Sequence, residues 1–296
     1  MTKHPGYLRA IVAIDFSTGA NAALQQAIWL GRVSGAKLAM TYAAPDSTQI
    51  SQTAQEIRQE SAVKMQAMIE NLGAADLDVQ LKTRIGKPFV VIIHAVQQEH
   101  FDLVFAGSRG HGDWTQFLVG STAKRLVRKC PVSVWIVKSE NVGPPKVILA
   151  PTDLSEVSRK AIQEGLWLAE QSGAEFHVLH VVDSPKVHEE EESLQQPTSN
   201  SSQQEIHAEA TRQLEAFLQP LQTSDSRIQS HVIHGVAWKE IGLMAQQLNA
   251  DLIAIGTVGR SGIKGMLLGN TAEKVLDTCE CSILTVKPDG FVSPIE

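Results

Sequence analysis

Brief apolar runs alternate with longer amphipathic stretches along the chain. Ile11–Ile14, Leu103–Ala106 and Val132–Val137 are apolar and bounded by turn residues, as buried parallel strands are. Between such runs, Leu24, Ala27, Ile28 and Gly31 fall on one helical face, and Gly35 supplies a stop. Ile162, Leu166 and Ala169, closed by Gly173, repeat that arrangement. Val90 to Gln98 is a further helix candidate, placed behind Pro88 in a favoured N-terminal position. Strand, helix, strand, helix predicts an α/β fold: a doubly wound parallel sheet with helices on both faces.

The pattern occurs twice. Asp15, Trp29 and Ser34-Gly35-Ala36 recur as Asp153, Trp167 and Ser172-Gly173-Ala174, all at an offset of 138. From Gly86 and Gly235 onward the offset is 149, which pairs Gly107 with Gly256, Cys130 with Cys279 and Lys138 with Lys287. The difference, 149 − 138 = 11 residues, is an insertion in the second half. Its expected place is the polar, aliphatic-poor stretch of about 183–205, read as a mobile surface loop. The period is too long for a solenoid, so each copy is a domain: 1–143 and 144–296, joined near Asn141-Val-Gly-Pro-Pro145.

Each copy carries one distinctive run of glycines. Gly107-Ser-Arg-Gly110 is followed, after nine residues, by Gly120-Ser121-Thr122. Gly256-Thr-Val-Gly259 is followed at the same spacing by Gly269-Asn270-Thr271. Both follow an apolar strand and lead into a helix. Such a loop holds anions, because backbone N–H groups converge, no Cβ intrudes and the helix N-terminus is partly positive. In a doubly wound sheet of order 3-2-1-4-5, strands one and four flank the ligand crevice. Asp15 ends strand one and Gly107 ends strand four, so both features meet there. An aspartate there accepts hydrogen bonds from ribose hydroxyls or an adenine amino group, and the loop takes phosphates.

These residues resemble the universal stress protein family in its tandem two-domain form. Family members that bind ATP carry Gly, two residues, Gly, nine residues, Gly, then Ser or Thr, which Gly107, Gly110, Gly120 and Ser121 match. The strand-one aspartate matches at Asp15 and Asp153, and the stretch from Gly256 to Leu276 is similar to the E type of the family. The resemblance implies an adenine nucleotide α-hydrolase-like fold in each half and ATP, with Mg2+ carried by the nucleotide, as ligand. Carried over, the first site comprises Ala13, Asp15, Ala43, Gly107, Arg109, Gly110, Gly120, Ser121 and Thr122. The second comprises Pro151, Thr152, Asp153, Val181, Gly256, Gly259, Gly269, Asn270 and Thr271. Asn270 stands where the family has a hydroxyl, which predicts weaker nucleotide binding in the second half or none. Ala13-Ile14 replaces the Pro151-Thr152 of the second half.

Each of these residues has a plainer reading. The glycines serve as turns, Asp15, Ser121 and Thr122 as helix caps, and Arg109 and Arg260 as solvated surface cations. Catalytic and metal chemistry find little support. No nucleophile, base and orienter occur at motif spacing; His111 has no duplicate, and His188 before four glutamates lacks a zinc-protease partner. Cys130, Cys279 and Cys281 form neither a disulfide framework nor a metal motif and fit a reducing cytoplasm. Trp29 and Trp167 read as packing residues. A net charge of −6 argues against a dedicated nucleic-acid binder, and no apolar run has membrane-spanning length. The expectation is a cytoplasmic, ATP-binding stress-response regulator without fast catalysis. The alternatives are a scaffold of the same fold holding a lipid-like or other small ligand, and a slow ATPase.

Assembly is legible in the last strand of each half. Val132–Val137 and Cys281–Val286 are apolar and lie at a sheet edge in the expected order. Left unpaired, such edges aggregate. Antiparallel pairing between them would make an internal pseudo-dimer, as fusion of a symmetric homodimer does. The sequence leaves homodimerisation of the whole chain open and names no protein partner.

Overall fold

A computed structural model describes residues 6–45, 53–110, 119–138, 143–183, 200–221, 228–259 and 268–295. The first half runs β1 (Arg9–Ile14), α1 (Thr18–Ser34), β2 (Lys37–Ala44), α2 (Ala54–Asn71), β3 (Val79–Ile85), α3 (Pro88–Glu99), β4 (Leu103–Gly107), α4 (Ser121–Lys129) and β5 (Ser133–Val137). The second runs β6 (Val147–Thr152), α5 (Glu156–Ser172), β7 (Glu175–Asp183), α6 (Asn200–Leu218), β8 (Ile228–Gly235), α7 (Ala237–Gln247), β9 (Leu252–Gly256), α8 (Asn270–Thr278) and β10 (Ser282–Val286). Residues 200–205, expected in the loop insertion, open α6 instead; 184–199 lie outside the described residues.

All strands join one ten-stranded sheet of order β3-β2-β1-β4-β5-β10-β9-β6-β7-β8. Each half therefore has the 3-2-1-4-5 order, parallel throughout. Near-continuous apolar strands are what burial on both faces requires. One core holds α1, α2, α5 and α6 against one face of the sheet; the other holds α3, α4, α7 and α8 against the opposite face. The helix stops are local. Gly35 and Gly173 adopt left-handed φ of 71° and 72° and return their N–H to Gly31 and Ala169. The aspartates heading β4 and β9 tie the sheet's entry points: Asp102 Oδ2 accepts from Leu8 N at 2.7 Å, and Asp251 Oδ2 accepts from Lys146 N at 2.7 Å.

The halves meet where the sequence expected. β5 and β10 pair antiparallel, with Leu284 opposite Trp135 and Thr285 opposite Val134, and Thr285 Oγ1 donates to Val134 O at 3.0 Å. Trp135 and Leu284 are buried. Two lysines cross this seam reciprocally. Lys287 Nζ donates to Val127 O at 2.6 Å and Arg128 O at 3.1 Å, at the C-terminal turn of α4. Lys138 Nζ donates to Leu276 O at 2.5 Å and Cys279 O at 2.6 Å, at the end of α8. A cation there complements the helix dipole and its unpaired carbonyls. Burial depresses both ammonium groups, Lys287 to about 8. Lys124–Asp277 and Arg128–Glu273 ion pairs flank them. On the other face, Glu164 of α5 accepts from Tyr7 Oη at 2.5 Å and Ser133 Oγ at 2.8 Å, so a buried carboxyl also joins the halves. Burial raises the pKa of Glu164 and of the Tyr7 phenol.

Candidate functional site

The turn that follows the first strand of each half is built twice in the same way. Asp15 Oδ1 accepts from Ser17 N at 3.0 Å and Ser17 Oγ at 2.5 Å. Ser17 Oγ in turn accepts from Ala20 N at 3.1 Å and caps α1. Asp153 Oδ1 accepts from Ser155 N at 3.1 Å, and Ser155 caps α5. The cap reading of Asp15 is thus corrected: the aspartate holds the serine that caps. Between them, Phe16 and Leu154 take left-handed φ of 64° and 62°. Such a conformation in a bulky residue costs on the order of 1–3 kcal/mol and persists where surrounding structure enforces it.

The glycine loops close over these turns. Gly120 N donates to Ser108 O, and Gly269 N to Thr257 O, both at 2.7 Å. A Cβ on Gly110 would lie 2.4 Å from Asp15 Oδ2, and one on Gly259 2.4 Å from Asp153 Oδ2. A side chain at the second glycine of each loop would therefore have to push aside the aspartate carboxylate resting against it. Gly107 has another reason. Its Cβ would meet the Gly19 carbonyl carbon at 2.5 Å, so it lets β4 and the start of α1 approach. Gly107 thus has a packing reason for being glycine beside its place at the end of β4. Gly256 likewise faces Val157, with Cγ1 3.0 Å from an added Cβ.

Gly120 differs from both. Its φ of −61° and ψ of 156° suit any residue, and a Cβ would meet only Ser108 O, at 3.4 Å. It is the N-cap of α4, with no side-chain cap bond and no acidic residue in the first turn. Ser121 and Thr122 are the first helical residues, which corrects their reading as caps; Asn270 and Thr271 stand likewise in α8, behind Gly269. The first N–H groups of a helix have no intrahelical acceptor, so both loops present uncapped, partly positive helix ends.

In the first half these pieces enclose one cleft of about 380 Å³. Ala13, Asp15, Ala43, Gly107, Arg109, Gly110, Gly120, Ser121 and Thr122 all line it, so every residue expected for this site converges. Pro88 and Ser108 also line it. Sequence reasoning passed over them: Pro88 read only as a helix start, and Ser108 only as a spacer between glycines. His111, Arg260 and His188 lie outside the described residues.

The second half retains the aspartate–glycine contact but fills its strand end differently. His180 Nδ1 lies 2.9 Å from Thr152 O, and Thr152 Oγ1 is shared between Leu154 N at 2.9 Å and Ser158 Oγ at 2.8 Å. Pro151 and Thr152 are buried, and Val181 is half-buried. Ile14 and Tyr42 occupy the equivalent positions in the first half, where Tyr42 packs on Phe16 at 4.8 Å between ring centroids. The polar groups of Thr152 are thus engaged within the protein. Among the described residues no group of three or more His, Cys, Asp or Glu is arranged to hold a metal, and no helix is long and apolar enough to cross a membrane.

Comparison with known proteins agrees with this architecture. The model of the universal stress protein family matches residues 6–138 and again 145–287. Universal stress protein E of Photorhabdus laumondii is 26% identical over 98% of both chains, and that of Salmonella typhi is 27% identical over 98% of this chain and 97% of its own. A Pseudomonas aeruginosa UCBPP-PA14 structure superposes with a TM-score of 0.72 at 23% identity, covering 96% of this chain and 94% of its own. A universal stress protein from Archaeoglobus fulgidus DSM 4304 gives 0.66 at 18%, covering 94% and 98%. Two halves of the same strand order on a single sheet, each matched by the same family model, make this chain a tandem member of the universal stress protein family.

Proposed function

We propose that the first half binds ATP in the cleft beyond β1 and β4, and that the nucleotide state of this universal stress protein sets its contacts with a protein partner in the stress response. The observation that carries the proposal is Gly120. Neither its backbone conformation nor its packing calls for glycine, yet it caps the helix whose free N–H groups open onto the cleft. Room for an anion at that helix end accounts for it. Backbone N–H groups around Gly120, Ser121 and Thr122 would hold phosphates, with Mg2+ brought by the nucleotide. Asp15, exposed and steadied by Ser17, would accept from the ribose or the base. The cleft volume falls within the range of small-molecule sites.

Among the described residues lining the cleft there is no nucleophile, base and orienter set, and our reading is retention of nucleotide without fast turnover, in a cytoplasmic protein. In the second half the engagement of Thr152 by His180 and Ser158, with Asn270 at the hydroxyl position, favours weaker nucleotide binding or none. Mass spectrometry of small molecules released by denaturing the purified chain tests the ligand class. An adenine nucleotide is expected. A different small molecule released in stoichiometric amount, with no nucleotide, would replace this reading by a scaffold with an altered pocket.

A further inference from the structure

β7 and β8 carry a histidine pair on the face of the sheet that α7 covers. His177 is 3% exposed, and its Nδ1 lies 3.0 Å from His231 Nε2, with the ring planes within 19° of parallel. His177 Nε2, on the far side of the ring, is buried, makes no hydrogen bond among the described residues and lies 3.5 Å from Glu175 Oε2. β8 is the outermost strand of its half and pairs with β7 alone.

The duplicate strands of the first half hold no such pair. At an offset of 138 His177 corresponds to Ala39, and at 149 His231 corresponds to Lys82 and Leu248 to Glu99. The strand register agrees: His231 stands opposite Leu179, and Lys82 stands opposite Thr41, 138 residues before Leu179. Lys82 forms an ion pair with Glu99. A lysine–glutamate pair keeps its protons unchanged across the neutral range, whereas a histidine pair does not.

The surroundings of the pair hold little compensating charge. On the same face β6 contributes Val147 and Leu149, and α7 packs over it with Lys239 and Glu240 as its charged side chains. Both stand in the first turn of α7, and Glu240 lies against Gly235, at the far end of β8 from its entry. Asp251 is engaged by the backbone N–H groups of Lys146 and Val147. α6, with Glu205, His207, Glu209, Arg212 and Glu215, lies on the opposite face, where exposed His207 stacks on exposed His234 at 5.6 Å. Glu175, itself 68% exposed, is the carboxylate that reaches the pair.

We propose that this pair makes the outer edge of the second half open on acidification. The gap between Nδ1 and Nε2 holds one proton in either tautomer, so the closed pair carries at most one positive charge, which Glu175 faces. A second charge would require two protons within 3.0 Å. Once β8 leaves β7, both imidazoles are hydrated and each takes up a proton below about pH 6.5. The open edge therefore binds one proton more than the closed edge, so the closed edge is most stable above that pH and loses stability as pH falls through it. Burial, and then His177, hold the pKa of His231 below its ordinary value, which acts in the same direction. Release of β8 uncovers Ile228 and Val232, which pack on the core shared with α6. Acid thus exposes apolar surface in the second half, while the β2–β3 edge of the first half stays closed.

Amide hydrogen exchange of the ¹⁵N-labelled full chain at pH 7.5 and 5.5, expressed as protection factors, tests this. Protection of the amides bonded between β7 and β8 is expected to fall about tenfold at the lower pH, and that between β2 and β3 to change by less than about twofold. His231→Gln keeps a side chain able to hydrogen-bond His177 and removes the second titrating ring. It is expected to reduce the β7–β8 change to less than about twofold. Protection between β7 and β8 that is equal at the two pH values in the wild type overturns the proposal, as does an equal fall at both edges. So does a fall in His231→Gln as large as that of the wild type. If His231→Gln does not fold, the comparison of the two edges in the wild type decides alone.

Discussion

Lys287 offers a measurable consequence of the seam between the halves. Its ammonium is 2% exposed, donates to the last carbonyls of α4 and lies 4.3 Å from the Phe291 ring centroid. Burial lowers it from 10.5 to about 8. In the unfolded chain the same amine binds its proton up to the higher value, so the unfolded state holds more protons between these limits. Stability contributed at this position therefore rises with pH across that window and is lowest below it. At roughly 1.36 kcal/mol for each pH unit, the whole difference is about 3 kcal/mol. Between pH 7 and 9 the rise comes to about 1 kcal/mol on the same relation. Lys287→Met removes the titration while filling similar volume, and replacing a buried charge in this way is often neutral or stabilising. Urea unfolding of wild type and variant at both pH values measures it. Burial raises the Cys130 and Cys281 thiols to about 12, which lowers alkaline stability, but this acts on both proteins and cancels in their difference. The wild type is expected to gain about 1 kcal/mol relative to Lys287→Met between pH 7 and 9. A difference that stays flat refutes the buried, proton-bearing lysine across the seam.

Other consequences are as direct. Gly110→Ala places a Cβ 2.4 Å from Asp15 Oδ2 and should shift that exposed carboxylate at a stability cost of about 1 kcal/mol or less, read chiefly as weaker ATP binding in calorimetry. Val134→Pro removes a backbone donor inside β5 and should cost about 3 kcal/mol or more, opening the halves in solution scattering or unfolding the chain. Halves that tumble independently in the wild type would contradict the continuous sheet. Asp153→Ala should leave the ATP stoichiometry unchanged, whereas Asp15→Ala should lower affinity by about 1–3 kcal/mol, both read by calorimetry.

Much of this architecture was legible before any coordinates. The repeat offsets placed the two halves, and the apolar last strands pointed to the β5–β10 seam, because an unpaired apolar edge is unstable in water. The convergence of Asp15 with Gly107, Gly110 and Gly120 followed from strand order. What sequence could not separate were reasons that depend on tertiary neighbours. Gly107 lets Gly19 approach, and Gly110 leaves room for the Asp15 carboxylate, although both sit in one motif with Gly120. Lys138 and Lys287 were visible only as repeat markers; that each reaches the other half's helix end depends on the seam itself. The start of α6 within a polar stretch was missed because Asn200–Gln204 has no apolar periodicity to announce a helix.

Calorimetry of the nucleotide-free full chain with MgATP tests the central claim most directly. Saturable binding at one site per chain is expected, abolished by Gly120→Val and retained in Asp153→Ala. Absence of ATP binding by the wild type, or two equal sites per chain, would contradict it.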